Sequence, residues 1–393
     1  MKLRKVRKDG INEVGCLVVD DNGVPIDRIC RYTLISLNGA DNTQENNARH
    51  VIHVERWATK HDIDLLAEVA LHGLNRSEHF ISLLRHLEMY AKDTDVVVPI
   101  NRKTVEAEYF NQRIDACCEY FAYLAERAIK TRKLNDPMIG TIEENVKRLT
   151  LRLKARKLSV GNTSTVTGLS TQVQVSLFKG LKDPKYFGWS KGTALRNRLI
   201  IRLLYETGIR RGELLSLTIE NCHTSKLAHG ERPYIHTRQN VKYDDPRKDI
   251  PHEKTEERII PISNDLADLI NQYKVIRSTP KAARKQPPYL ILSSHAPYPP
   301  LSMSSLTSVF DAIKAKIPDI DELGSHRLRH TFFENLDRIL HRDSYDDEHK
   351  RKIKNNIGGW KPLSRQSENY EKLATYEQCV EAMSSFHSFL ENN

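Results

Sequence analysis

Long apolar runs are missing from this chain. Among its 393 residues, no stretch of the roughly 18 apolar residues that a membrane-crossing helix needs is present, so no transmembrane helix is expected. The start, MKLRKVRKDG, is basic but leads into no apolar segment, which argues against a secretory signal. Cys16, Cys30, Cys117, Cys118, Cys222 and Cys379 form no Cys-x-x-Cys pair and have no histidine at zinc-ligand spacing. Neither a disulfide framework nor a zinc module is expected, and the adjacent Cys117 and Cys118 read as small core residues of one helix. Internal repeats, low-complexity tracts and a carboxylate cluster of the kind that holds catalytic metal ions are also lacking. Together these absences predict a cytoplasmic protein with no membrane partner, no metal and no cofactor.

What the chain does have is positive charge. The formal net charge is +10, with hydrophobic content of 39% and charged content of 28%. That composition suits a globular protein with real cores, and its length suits two domains. Excess basic charge favours polyanions through counterion release, and nucleic acid is the commonest such partner.

The pattern along the chain separates two regions. Residues 1–35 read as an N-terminal arm or hairpin, because CLVVDDNGVPID has two extended runs around an Asp-Asn-Gly turn signal. From Thr43 the pattern turns helical: Val51, Val54, Trp57 and Ala58 recur at helical spacing, and further helices are expected near 61–72, 77–92, 104–131 and 140–158. Residues 36–160 thus form an expected all-helical domain. Its last helix starts with Glu143 and Glu144 and then carries Lys147, Arg148, Arg152, Lys154, Arg156 and Lys157 without another acid. Acids early and bases late suit the helix dipole, but this basic excess goes further. A solvated helix face would look similar; a surface for the DNA backbone is the sharper reading.

Residues 161–170, within the small, polar run SVGNTSTVTGLS, read as a linker. Residues 171–393 then alternate helices with a short strand-rich stretch. Helices are expected at 171–182, 191–207, 210–217, 264–277, 302–316, 326–341, 346–357 and 365–389, with PYIHTR and RIIPIS as strands. The predicted fold class is mainly α with a small β-sheet: a helical domain followed by a mixed α+β domain.

Four segments of the second region fit one phosphoryl-transfer site: TGIRRGELLSL, EKTEERIIPI, HRLRHTF and GGWKPLSRQSENY. Breaking a phosphodiester without metal needs fixed positive donors on the non-bridging oxygens, an acid for the leaving oxygen and a nucleophile in line. Arg210 suits the first service, and Glu213, three residues on, can reach back to hold its guanidinium. His326 and Arg329 share a helix face, with His330 one turn from His326. The pair His326–His330 lacks the glutamate of the His-Glu-x-x-His zinc motif and is flanked by arginines that repel a cation. Lys254, before a strand, can deliver a proton to the leaving oxygen, with Lys242 and Lys248 as weaker substitutes. Of the 15 tyrosines, Tyr370 is the expected nucleophile; Tyr376 projects from another helix face, and acids around Tyr345 disfavour its phenolate.

Taken together, these segments resemble the tyrosine recombinase (phage integrase) family. TGIRRGELLSL resembles the family's first arginine box, HRLRHTF its His-x-x-Arg-His-Thr-Phe box, KTEERIIPI its lysine hairpin and GGW…Y its nucleophile box. The resemblance covers about 170–390 by motif and 40–158 by general character. It implies a helical core-binding domain followed by a catalytic domain. It also implies a site-specific recombinase that cuts and rejoins double-stranded DNA through a 3′-phosphotyrosyl link, as a homo-tetramer on DNA, with an accessory DNA-bending or directionality factor as a further partner. Trp360 stands where the family usually has histidine, and its indole N–H can still donate to phosphate. The Trp360–Tyr370 gap is one residue longer than usual, and 341–355 reads as an insertion. Type IB topoisomerase-like relaxation and a catalytically inactive DNA-binding relative are the alternatives; site-independent relaxation of supercoils marks the first, and loss of a catalytic residue type marks the second.

Overall fold

The computed structural model describes residues 1–7, 14–36, 41–90, 104–160, 167–225, 232–238, 245–247, 250–251, 256–280, 288–317, 319–361 and 364. The chain divides into two compact units, Met1–Thr163 and Ser164–Asn393. Lys254, Tyr370, most of the expected linker and the expected helix over 365–389 lie outside the described residues. No helix among the described residues is long and apolar enough to cross a membrane.

The first unit opens with an antiparallel hairpin of β1 (Lys2–Arg7) and β2 (Val14–Val19), Lys2 facing Val19 and Arg7 facing Val14. The Asp-Asn-Gly turn forms as expected, with the Asp20 carboxylate accepting from the N–H groups of Asn22 and Val24 at 2.9 and 2.8 Å. The expected second arm does not extend, however. Beyond it only Val19 and Pro25 bridge, because proline has no N–H to continue the ladder and α1 (Asp27–Arg31) begins at once. Nor does the hairpin stand off as an arm. Val18 and Ile29 share one core with Val51, Trp57, Leu83, Phe121 and Leu149.

Those core residues come from α2 (Asp41–Lys60), α3 (Leu65–Ala67, continuing into a π turn over Glu68–His72), α4 (Ser77–Glu88), α5 (Ala107–Lys130) and α6 (Met138–Lys154). Gly73 ends the π turn in the left-handed conformation at φ +59°. The Asn145 carboxamide of α6 then donates to the freed carbonyl of Leu71 at 2.9 Å, satisfying an acceptor the irregular turn leaves over. Cys117 and Cys118 are buried on α5 as free thiols.

The second unit is built around α8 (Lys191–Thr207), whose Leu199, Ile200, Leu203 and Leu204 are fully buried. Around it lie α7 (Thr171–Lys182), α9 (Arg211–Ser216), α10 (Asn264–Ser278), α11 (Met303–Lys314), α12 (Ser325–Arg342) and α13 (Asp347–Gly358). Side-chain oxygens of Ser170, Ser190, Ser263, Ser302 and Asp346 cap α7, α8, α10, α11 and α13, which fixes where each starts. A small antiparallel sheet runs β3 (Cys222–His223), β4 (Tyr234–Thr237), β5 (Arg258–Pro261), with Ile235 opposite Ile260. The strand β3 was not expected; two residues are too short to show a period of two.

Candidate active site

The helix α8 stops at Gly208, whose φ of +61° places it in the left-handed region. A Cβ there would also lie 2.3 Å from the Phe332 ring, so glycine is required on both counts. Two residues later Arg210 caps α9. Its backbone N–H donates to the Glu213 carboxylate at 2.6 Å. Glu213 therefore reaches back as expected, but the bond recorded between them is to the Arg210 backbone. The guanidinium that Glu213 clasps is that of Arg258, through bonds of 2.7 and 3.1 Å.

The helix α12 places His326, Arg329 and His330 on one face at i, i+3 and i+4; Arg329 and His330 are buried, as are Leu328 and Thr331. Arg329 is only 2% exposed. Its Nη1 donates to the Gly208 carbonyl and its Nη2 to the Gly358 carbonyl at 3.0 Å. Arg210 Nη1 donates to that same Gly358 carbonyl, also at 3.0 Å. Two arginines, 119 positions apart by their numbers, thus converge on one oxygen at the end of α13.

Trp360 completes the grouping. Gly359, at φ +65°, reverses the chain, and the Trp360 N–H donates to the Asn355 carbonyl at 3.0 Å. The indole then packs on Phe333, centroids 5.1 Å apart. Arg329 and Arg210 lie 4.9 and 5.7 Å from its ring. The π face and the shared carbonyl offset part of the repulsion between these two cations.

His326 and His330 meet edge to face, with their Nε2 atoms 3.1 Å apart. Burial, then the neighbouring His326, Arg329 and Arg327, push the His330 pKa down to about 4. His326 is held below its ordinary value by partial desolvation, then by Arg329 and Arg210. Both rings are therefore neutral near pH 7, and one donates its Nε2 proton to the other. A neutral imidazole adds a hydrogen-bond donor to the site, not a third fixed charge.

Arg258 is a site residue that the sequence analysis passed over. Besides Glu213, it donates from Nε to the Ile357 carbonyl at 2.6 Å, joining β5, α9 and the end of α13. Its signal was present: Arg258 is in phase with Ile260, on the inward side of an alternating strand. The Glu256 N–H also reaches the Gly359 carbonyl at 3.4 Å, so the described end of the lysine segment abuts the same helix terminus.

The basic residues at the end of the first unit divide by environment. Lys147, Arg148, Lys154, Arg156 and Lys157 are exposed. Arg148 donates to Asn145 at 2.9 Å and Lys157 pairs with Asp115 at 2.6 Å. Arg152 is taken into the fold: its guanidinium lies 4.0 Å from the Phe80 ring and donates to the Leu74 carbonyl at 3.1 Å.

Against known families, residues 182–339 match the model described as the phage integrase family. The chain carries a phage integrase domain. That match supports a DNA strand-transferase of the site-specific recombinase class. By fold, the chain resembles XerH site-specific recombinase bound to difH substrate, with a TM-score of 0.50, 16% identity, and coverage of 83% of this chain and 76% of that one. XerA recombinase aligns at a TM-score of 0.40 and 15% identity, covering 91% of this chain and 96% of that chain. The Tn1549 transposon integrase with transposon right end DNA aligns at 0.40 and 16%, covering 82% and 98%. By sequence, no curated protein matches. The integrase domain begins at the end of α7 and extends into α12, so it takes in Arg210, Glu213, Arg258, His326, Arg329 and His330.

Proposed function

We propose that this protein cuts and rejoins double-stranded DNA at specific sites through a 3′-phosphotyrosyl intermediate, with Tyr370 as the nucleophile. The observation that carries the reading is the convergence of Arg210 and Arg329 on the Gly358 carbonyl, beside the His326–His330 pair, with both arginines and both histidines inside the matched integrase domain. Two guanidiniums fixed this close supply donors for both non-bridging oxygens of one phosphate. The Tyr370 phenol oxygen attacks phosphorus, its proton passing to the neutral His326–His330 pair, and the tyrosyl ester forms as the bond to the 5′-oxygen breaks. Lys254 gives its proton to that oxygen. His326 and the Trp360 indole assist in holding the phosphate, and His330 orients His326. A 5′-hydroxyl from a partner strand then attacks the ester and returns the phenol, so the number of phosphodiester bonds is conserved without ATP or metal.

Exchange of strands between two duplexes implies four active sites, hence a homo-tetramer assembled on DNA, with an accessory bending or directionality factor as a further partner. The exposed bases on and just after α6, Lys147, Arg148, Lys154, Arg156 and Lys157, are assigned to the DNA backbone. XerH, whose structure with difH substrate shares the fold, is the precedent for a DNA substrate.

The test is a suicide substrate nicked beside its cleavage site, incubated with the protein and run on a denaturing gel. A covalent adduct is expected from wild type and none from Tyr370→Phe. Arg210→Ala should slow adduct formation by roughly 10²–10³-fold, the usual loss when a transition-state donor is removed. An adduct that persists in Tyr370→Phe rejects the assigned nucleophile. The absence of any wild-type adduct on recovered target DNA rejects the mechanism.

A further inference from the structure

A cavity of about 240 Å³ opens beside the first turn of α8, away from every residue of the candidate active site. Arg196 and Arg277 both line it, and each is only 8% exposed. Arg196 donates from Nε and Nη2 to the Asn197 carboxamide at 3.0 and 2.9 Å, and from Nη1 to the Leu292 carbonyl at 3.4 Å. Both acceptors are neutral. No carboxylate among the described residues pairs with Arg196; burial holds its pKa below the usual guanidinium value, opposed only by the buried Tyr273 phenol. Arginine does not shed its proton in proteins, and a buried charge is normally matched by an opposite one. The Arg196 charge in the cavity wall therefore has no carboxylate among the described residues to balance it.

The remaining lining suits an oxyanion. Thr193, in the first turn of α8, donates from its hydroxyl to Ser294 at 3.1 Å, and both line the cavity. Gly192 lies beside them in the same turn, where orphan backbone N–H groups and the positive end of the helix dipole favour negative charge. Arg277, which donates from Nε to the Tyr289 carbonyl at 3.0 Å, brings a second guanidinium.

We propose that this cavity binds a small tetrahedral oxyanion, either inorganic phosphate or the phosphate group of a phosphomonoester, between Arg196, Arg277 and the Thr193 and Ser294 hydroxyls. The site is separate from the one that handles the scissile DNA phosphate. Its occupant supplies a counter-charge to Arg196, so binding stabilises the second unit by mass action.

The test follows thermal unfolding of the full chain as inorganic phosphate, and separately adenosine monophosphate, replaces chloride at constant ionic strength. A saturable rise in Tm is expected in wild type and also in Arg210→Ala, which disables the other phosphate site. Arg196→Gln should abolish the rise. Gly192→Asp is the second variant, for use if Arg196→Gln does not fold: a Cβ at Gly192 meets only Ile276 Cγ2, at an ordinary contact distance of 3.6 Å. Its carboxylate should raise Tm in chloride and remove the phosphate response. A larger shift with adenosine monophosphate assigns a phosphomonoester, and equal shifts assign free phosphate. A response that survives in Gly192→Asp, that disappears only in Arg210→Ala, or that never saturates in wild type overturns the proposal.

Discussion

At the scale of single residues, the candidate site depends on one carboxylate that touches no substrate. Glu213 is 2% exposed and holds the Arg210 N–H while clasping Arg258. Replacing it by glutamine strands the Arg258 guanidinium, itself 7% exposed, without a counter-charge. Removing one partner of a buried pair typically costs about 3–5 kcal/mol, whereas exchanging both for apolar residues of similar volume is often neutral. Glu213→Gln should therefore lower stability in urea unfolding by that amount, and Glu213→Leu combined with Arg258→Met should restore most of it. The double variant should still cleave the suicide substrate slowly, because the Arg210 backbone has lost its anchor. Full activity in the double variant would show that Glu213 serves folding alone. Arg329→Lys is expected to lose cleavage by roughly two orders of magnitude. A single ammonium does not reproduce the fork that spans the Gly208 and Gly358 carbonyls.

At the scale of elements, the site is made by helix ends. Gly208 ends α8, Arg210 starts α9, and Gly358 with Gly359 ends α13. Each terminus exposes carbonyls or N–H groups that an intact helix would use internally, and the arginines satisfy them. Much of this was legible beforehand. The helix ranges from α7 to α13 and the grouping His326, Arg329, His330 follow from spacing. The Gly358 carbonyl was not legible, since a backbone acceptor has no residue type to read. The surroundings of Arg152 were hidden for a related reason: a base at a solvent-facing period looks the same whether it meets DNA or lies over Phe80. The two cases separate experimentally. Lys154→Gln and Arg156→Gln should each flatten the slope of log binding constant against log salt by about 0.9 without changing stability. Arg152→Gln should leave that slope unchanged and cost about 1–2 kcal/mol, having lost a ring contact and a hydrogen bond to Leu74. Equal salt slopes for all three variants would reject the assignment of α6 to the DNA backbone.

At the scale of the whole molecule, the two units hold their histidines differently. In the first, His53 and His86 stack at 4.1 Å between centroids, each ring bonded to the other's backbone carbonyl at 2.8 and 2.9 Å. Burial, the other ring and Arg113 drive the His53 pKa down to about 3, and burial above all drives those of His86 and His50 down to about 4. Each is below the ordinary value of 6.5, so the unfolded chain binds protons that the native unit refuses. Stability is then complete above about pH 6.5 and falls as the pH drops from there towards 4. For His50 alone the loss at pH 4.5 is roughly 2–3 kcal/mol, at about 1.4 kcal/mol per unit of displacement. Among the described residues of the second unit, burial pushes His330 to about 4 and lowers His326. Acid should therefore open the first unit before the second. Trp57 is buried in the first unit, while Trp189 and Trp360 belong to the second, so fluorescence can assign the order. With Trp189→Phe and Trp360→Phe in place, Trp57 emission should move to the red at a higher pH than the emission of a Trp57→Phe variant. His50→Phe should shift that first transition to lower pH, because a ring that cannot charge removes part of the proton uptake. Coincident transitions in both variants would mean that the two units unfold as one.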